Sequence, residues 1–229
     1  VHSDQPNPPF PQQAGKLGPH FVARSCIACH VNNGRAIPPA VGSPMYQTVV
    51  KVADDARGTP HPKLGTALQP QTTGTTPEAA VTISAYQDIP GQFTDGTRFS
   101  LRRPTYAFTG TTPEHFSVRL TPQLVGLGLL EAISESTVLA AADPDDTDND
   151  GISGRVQTVL DPETGQLRLG RFGYKASQAR LRHQVAAALN SDMGITSGIY
   201  SRPDGQATND RPELSTSELD QLTRYLSTL

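Results

Sequence analysis

Apolar residues recur every three to four positions in several stretches of the chain, which is the spacing of one helix face. One such stretch begins at Thr121-Pro122, which suits a helix start, and a further turn is expected to restart at Ser134. Another begins at Ser215, which can form a capping box with Glu218. These patterns predict four helices, over residues 17–30, 121–133, 177–190 and from 215 almost to the C terminus.

Other stretches favour strands. Residues 47–53 predict a short strand. Residues 81–86 and 98–106 flank Asp95-Gly96, a residue pair that favours a tight turn, and so predict a β-hairpin. We expect these elements to form small local sheets.

The composition indicates an ordered chain with many loops. Only 35% of the residues are hydrophobic, and 20 Gly and 20 Pro add turns. Residues 1–16 contain four Pro and three Gln, which is typical of an extended linker or a ragged terminus. We expect one domain over residues 17–229.

The charge pattern excludes two kinds of partner. The formal net charge is −3 and the pI is near 6.1, so no strong positive field attracts nucleic acid or an anionic membrane. No run approaches the roughly 20 apolar residues that a membrane-spanning helix needs. We expect neither nucleic-acid binding nor a membrane span.

The sequence Cys26-Ile-Ala-Cys29-His30 has the spacing of a c-type haem attachment site. Two thiols reach the haem edge while the next imidazole faces the iron. The alternatives are a zinc site, which would need two further ligands, a redox-active cysteine pair, and a chance match to the motif. Both cysteines of the chain lie in this motif. We therefore expect one covalent haem c, with His30 as an iron ligand.

A buried haem supplies apolar surface that the side chains lack. Predicted helices carry the haem motif, the approach to Met193 and the C terminus. The expected fold is therefore mainly α: a cytochrome c-like haem domain with long loops and short inserted β-hairpins. Bacterial haem attachment takes place outside the cytoplasmic membrane, so we expect a periplasmic or secreted protein. Its start at Val1 is expected to follow removal of a leader or of upstream domains.

The second axial ligand of the iron decides between electron transfer and chemistry at an open site. Met193 lies just past a predicted helix end, where its thioether can be held toward the iron. We expect Met193 to be this ligand. The alternatives are Met45, His61, His115 and His183.

Alternating carboxylates before a glycine resemble the first half of a calcium-binding loop. Asp146, Asp148 and Asp150 occupy the first, third and fifth positions before Gly151, and Ile152 would contribute its carbonyl. Position twelve is Gln157 rather than Glu, which argues against an EF-hand. We expect a structural calcium ion here.

Five separated segments resemble the di-haem oxidoreductase family, whose members are described as peroxidases or thiol oxidoreductases. The segments follow the family's order over most of the chain: 17–26 with 33–39, 126–133, 148–155, 170–176 and 192–196. Proteins of this kind are similar to bacterial di-haem peroxidases, in which one haem relays electrons to another. This chain contains one CxxCH motif, so it resembles the first haem module used alone.

The resemblance, together with the single motif, implies electron transfer through one c-type haem. The partner would be a secreted redox enzyme, such as a polysaccharide-oxidising metalloenzyme, or a second cytochrome. The alternatives are a haem peroxidase or thiol oxidoreductase with an open axial site, and a small-ligand haem sensor. Arg171 and Lys175 are candidate partners for the haem propionates, and Lys175 is a further alternative iron ligand.

Overall fold

Strands outnumber helices in this protein. The structure, a computed structural model, describes residues 15–74, 76–202, 204 and 212–229. Strand accounts for 29% of it and helix for 21%, in five helices and several antiparallel sheets. The expected mainly α fold is therefore wrong. The predicted linker over residues 1–16 lies outside the described residues, apart from its last two positions.

The chain divides into two compact units. The first contains residues Val1–Gln123, Ser191–Gly194 and Asp204–Gln206, and the second contains Leu124–Asn190, Ile195–Pro203 and Ala207–Leu229. The four residues Ser191–Gly194 thus join the first unit although they are distant from it in sequence. That grouping matters because it includes Met193.

Antiparallel sheets build the first unit. The elements are β1 (His20–Phe21), α1 (Cys26–Cys29), β2 (Thr48–Ala53), β3 (Ala67–Leu68), β4 (Gln71–Thr72), β5 (Ala79–Gln92), β6 (Arg98–Gly110) and β7 (His115–Leu120). The central sheet has the strand order β3-β2-β7, while β1 pairs with β4 and β5 pairs with β6. The short helix α1 and a 3-10 turn at Val31–Asn33 interrupt the strands.

The core of this unit lies between the central sheet and the base of the β5–β6 hairpin. Strand β2 alternates buried and half-buried residues, as expected for a strand with one face in a core. Tyr86, Tyr106 and Phe108 pack against the buried cluster. That cluster consists of Met45, Val50, Val52, Leu64, Leu68, Ala79, Val81 and Ile83.

The predicted strand and hairpin are both present. Strand β2 matches the predicted stretch to within one residue. The hairpin turns at Asp95-Gly96, where the Asp95 carboxylate accepts the Thr97 amide at 2.8 Å and Gly96 adopts φ +90°. Its strands are longer than predicted, at 14 and 13 residues.

Helices are concentrated in the second unit. Helix α5 begins with the predicted capping box, in which Ser215 and Glu218 bond each other's backbone amides. Its apolar side buries Leu219 and Leu226. The elements are α2 (Leu127–Ala132), α3 (Glu135–Ala140), β8 (Thr158–Leu160), β9 (Leu167–Leu169), α4 (Leu181–Met193) and α5 (Thr216–Ser227), and the end of α4 groups with the first unit.

Two predicted helices are much shorter than their apolar spacing suggested. Helix α2 starts only after Gly126, which is left-handed at φ +86°, and it stops at Ile133, which is extended. Within residues 17–30, strand β1 replaces the first part and only Cys26–Cys29 is α-helical. Glycine and sheet pairing here outweigh apolar periodicity, because a left-handed or extended residue ends the helical hydrogen-bond ladder.

Among the residues that the structure describes, no helix is long and apolar enough to cross a membrane.

Candidate haem site

One helical turn presents the two cysteines. Cys26 and Cys29 are the first and last residues of α1, so their three-residue spacing puts both thiols on one side of the turn. His30 follows directly as the C-cap residue, and its amide bonds the Cys26 carbonyl at 2.8 Å. The motif therefore presents two thiols and an imidazole from one rigid turn.

A backbone carbonyl fixes the tautomer of His30. Its Nδ1 atom lies 2.6 Å from the carbonyl oxygen of Pro122. Because a carbonyl oxygen only accepts hydrogen bonds, Nδ1 carries the hydrogen and Nε2 keeps its lone pair. Burial also lowers the pKa of His30, which favours the neutral ring. A neutral imidazole oriented by a carbonyl is the usual form of a metal-ligating histidine.

The two thiols are poorly suited to redox exchange between themselves. Burial raises the pKa of Cys26, and burial together with the Asp192 carboxylate raises the pKa of Cys29 to about 12. The Cys29 thiol donates to the Tyr46 carbonyl at 3.3 Å. Reactive cysteine pairs have depressed pKa values instead, because the thiolate is the nucleophile.

Large apolar side chains near the motif are exposed. Five of them lie between residues 27 and 46, and each exposes close to half of its surface or more. Covering such surface is favourable in proportion to its area, so this stretch fits a large apolar group such as a porphyrin. They are Ile27, Val31, Ile37, Val41 and Tyr46.

Met193 is held by the stretch of chain that leads into the motif. Its carbonyl accepts the Gly18 amide at 3.0 Å, and the Asp192 carbonyl accepts the amides of Val22 and Ala23 at 2.8 and 3.1 Å. The Met193 side chain is buried. The charge of Asp192 also acts on both thiols and on His30, which indicates that this segment lies near the motif.

Two glycines permit this approach. A Cβ atom on Gly18 would lie 2.6 Å from the Cα and the carbonyl oxygen of Gly194. A Cβ atom on Gly194, whose φ is +66°, would lie 2.7 Å from the His20 carbonyl oxygen. Any side chain at either position would separate the two segments.

The alternative ligands have other contacts. Met45 is buried in the apolar core, and the Nδ1 atom of His61 accepts the amides of Lys63 and Leu64. His115 starts β7 opposite Ala53. These contacts leave the identity of the second ligand a prediction.

His183, a further alternative ligand, lies in the second unit. It is fully buried there, with Nε2 2.9 Å from the Glu163 carboxylate.

The predicted propionate partners also lie in the second unit. Arg171 donates to the carbonyls of Leu130 and Ile133 at 3.3 and 2.6 Å, and so binds the end of helix α2. Lys175 is exposed. Their role toward a haem stays a prediction.

Three of the acidic side chains come together. Asp143, Asp146 and Asp148 each offer one carboxylate oxygen within 4.8 Å of the others. Asp150 lies outside this group and its carboxylate accepts the Ile152 amide at 2.8 Å. The structure thus replaces Asp150 by Asp143 in the candidate set. Asp143 lies three residues before Asp146, the first position of the predicted calcium loop.

Sequence reasoning missed the residues that act through long-range backbone contacts. Pro122 is 92 positions from His30, and Gly18 is 176 from Gly194. The only local signal was their residue type, since Pro and Gly mark backbone positions with special constraints.

The site has the features of haem-dependent redox proteins: two thiols and a tautomer-fixed histidine at c-type spacing beside exposed apolar surface. Residues 115–209 match the family described as "Di-haem oxidoreductase, putative peroxidase". The match covers less than half of the chain and agrees with the resemblance that the sequence motifs indicated. No curated protein and no solved structure matches the chain significantly. The family implies haem binding and haem-related redox function.

Proposed function

We propose that this chain is a mono-haem electron-transfer module, with one haem c bound through Cys26 and Cys29 and ligated by His30 and Met193. The observation that carries the proposal is the 2.6 Å contact between His30 Nδ1 and the Pro122 carbonyl oxygen. It leaves Nε2 as a preset electron-pair donor, which is what an axial ligand requires. When bound, a c-type haem supplies an iron that alternates between the ferric and ferrous states.

A second protein ligand that is held rigidly on the iron favours electron transfer over catalysis. Met193 belongs to the same compact unit as the motif, its side chain is buried, and its backbone is tied to Gly18. A ligand fixed in this way changes little between oxidation states, and it keeps other molecules from the iron.

Peroxidase chemistry is the alternative that the family description favours. It requires an iron position open to peroxide. Thiol oxidation by the cysteine pair itself is opposed by the raised pKa values of Cys26 and Cys29. Reversible binding of a small gas without turnover would indicate a sensor.

We further propose a periplasmic or secreted location, since covalent haem attachment in bacteria takes place there. A secreted redox enzyme, such as a polysaccharide-oxidising metalloenzyme, or a second cytochrome would exchange electrons with the module. The carboxylates of Asp143, Asp146 and Asp148 would hold a structural calcium ion, because clustered hard oxygens suit this cation.

Absorption spectra of the ferric and ferrous holoprotein test the function. We expect a low-spin spectrum with the weak long-wavelength band that marks methionine–iron ligation. Met193→Leu should lose this band and become high-spin. Met45→Leu is the matched control, because Met45 and Met193 are the two methionines of the chain and Met45 lies in the apolar core. A high-spin wild type with fast peroxide turnover would establish the peroxidase alternative instead.

A further inference from the structure

A buried carboxylate lies outside the motif and has no role in the function proposed so far. The side chain of Glu78 is only 8% exposed. Its Oε2 atom accepts the Gln69 amide at 2.8 Å, and its Oε1 atom lies 3.7 Å from Nδ1 of His20. Burial raises the pKa of Glu78 to about 7, and the nearby Asp204 carboxylate acts in the same direction.

Both partners of Glu78 support the segment that contains Met193. The first partner is Gln69, whose side-chain amide donates to the Ser191 carbonyl at 3.0 Å, two residues before Met193. The second partner, His20, has its carbonyl oxygen packed against Gly194, one residue after Met193. Glu78 therefore holds the supports on either side of Met193.

The neighbours of His20 extend this support. Gly18 and Val22, two residues to either side, bond the carbonyls of Met193 and Asp192 at 3.0 and 2.8 Å. A shift of His20 would accordingly be transmitted to the backbone of Met193 through rigid hydrogen bonds.

The His20 ring makes this arrangement sensitive to protons. Its Nε2 atom lies 3.2 Å from the Thr76 carbonyl oxygen, so Nε2 carries a hydrogen. Nδ1 then faces the Glu78 carboxyl at 3.7 Å, which is ion-pair distance and too long for a hydrogen bond. When Glu78 loses its proton, its carboxylate faces the Nδ1 lone pair of a neutral His20 ring, and the two repel each other.

We propose that His20 and Glu78 form a proton-linked positioning pair that holds the Met193 segment and couples the reduction potential of the haem to pH. This inference rests on the proposed electron-transfer function. Loss of the proton adds negative charge to the unit that carries the motif, which stabilises ferric over ferrous iron. The potential therefore falls as the pH rises through neutrality, and it levels off on either side.

Three other charged groups lie around the pair and its supports among the described residues. Asp192, in the Met193 segment, has a pKa raised by burial, and its charge acts on His30. Asp204 faces Glu78 and binds the amide and hydroxyl of Thr66. Lys51 contacts the Met193 segment, with Nζ 3.4 Å from the Ser191 hydroxyl. His20 is the partner that lies within ion-pair distance of the Glu78 carboxyl.

The chain contains its own matched control. The hexapeptide Thr-Gly-Thr-Thr-Pro-Glu occurs at 73–78 and again at 109–114, so Glu78 and Glu114 end identical segments. Glu114 is exposed, whereas Glu78 is buried. The same substitution at both positions therefore distinguishes the effect of burying the carboxyl from the effect of the local sequence.

The test is the reduction potential of the holoprotein between about pH 5.5 and pH 8.5, for wild type, Glu78→Gln and Glu114→Gln. Glutamine at 78 keeps an oxygen for the Gln69 amide but does not titrate. We expect the pH dependence around neutrality to be much weaker in Glu78→Gln and to persist in Glu114→Gln. In a further variant, His20→Gln, the transition should move to higher pH, because the Glu78 carboxylate loses its ion-pair partner.

A purely structural role for Glu78 would leave the slope of potential against pH unchanged in Glu78→Gln, and that result would overturn the inference alone. Wild type without the methionine–iron band would overturn the proposed function and this inference together. The ring resonances of His20, followed by NMR against pH, give a readout independent of the potential. In wild type they should shift as Glu78 ionises, and this shift should be absent in Glu78→Gln.

Discussion

The Nδ1 atom of His30 lies 2.6 Å from the carbonyl oxygen of Pro122, which follows strand β7 and is 92 positions further along the chain. This contact fixes the tautomer of the imidazole before any ligand binds. It connects the local CxxCH motif to the central sheet of the same unit. The site is therefore prepared by tertiary structure as well as by spacing.

Covalent attachment should follow the number of thiols. With Cys26→Ala or Cys29→Ala, we expect one remaining thioether bond, and with both substitutions we expect haem that is removed by denaturing extraction. The pyridine haemochrome spectrum distinguishes two, one and no thioether bonds. Ser25→Ala, next to the motif, is the control and should retain both bonds. Haem retained through extraction in the double variant would contradict the attachment site.

Glycine at position 18 should be essential for the Met193 segment. In Gly18→Ala, a Cβ atom would meet the Gly194 backbone at 2.6 Å. We expect a loss of about 1–3 kcal/mol in the free energy of unfolding, as for other overpacked sites, and loss of the methionine–iron band. Urea unfolding and absorption spectra measure the two effects. Gly198→Ala is the control, because a Cβ atom there has open space around it.

The contribution of Glu78 to the stability of the protein should fall as the pH rises from about 4.5 to about 7. Glu78 has a higher pKa in the folded protein than its ordinary value of 4.5, so the folded state binds the proton more tightly. The stabilisation that Glu78 contributes at low pH is lost as the pH rises through the pKa of Glu78 in the folded protein. Glu78→Gln should match wild type near pH 4.5 and exceed it at pH 8 by on the order of 2 kcal/mol.

Urea unfolding at a series of pH values measures this difference. The Glu114→Gln variant should follow wild type at every pH, because Glu114 is exposed. Equal pH profiles for wild type and Glu78→Gln would show that the carboxyl titrates with its ordinary pKa.

Calcium should stabilise the second unit through the acidic loop. We expect addition of calcium to raise the midpoint of thermal unfolding and chelation to lower it. Asp143→Asn and Asp146→Asn should each weaken calcium affinity roughly tenfold or more, since each removes a charged oxygen from the cluster. Asp150→Asn is the comparison, because Asp150 lies outside the group of three and should have a smaller effect. Calorimetric titration that detects no calcium binding would refute this site.

Local features were readable from the sequence. The Cys26–His30 spacing, the Asp95-Gly96 hairpin and the Ser215–Glu218 capping box each depend on residues within a few positions of one another. Backbone geometry over such distances is largely fixed by residue type. The predicted fold class is wrong because apolar spacing in 17–30 and 121–133 predicts long helices. Left-handed and extended residues, which the spacing does not show, shorten these helices in the structure.

The tertiary structure alone decided what surrounds the motif. It brought Pro122 to His30, Gly18 to Gly194, and Glu78 to His20 and Gln69. Burial then set the raised pKa of Glu78, which an identical hexapeptide at Glu114 could not reveal. These properties depend on contacts between residues far apart in the chain and on exclusion of water, and neither is encoded in local spacing.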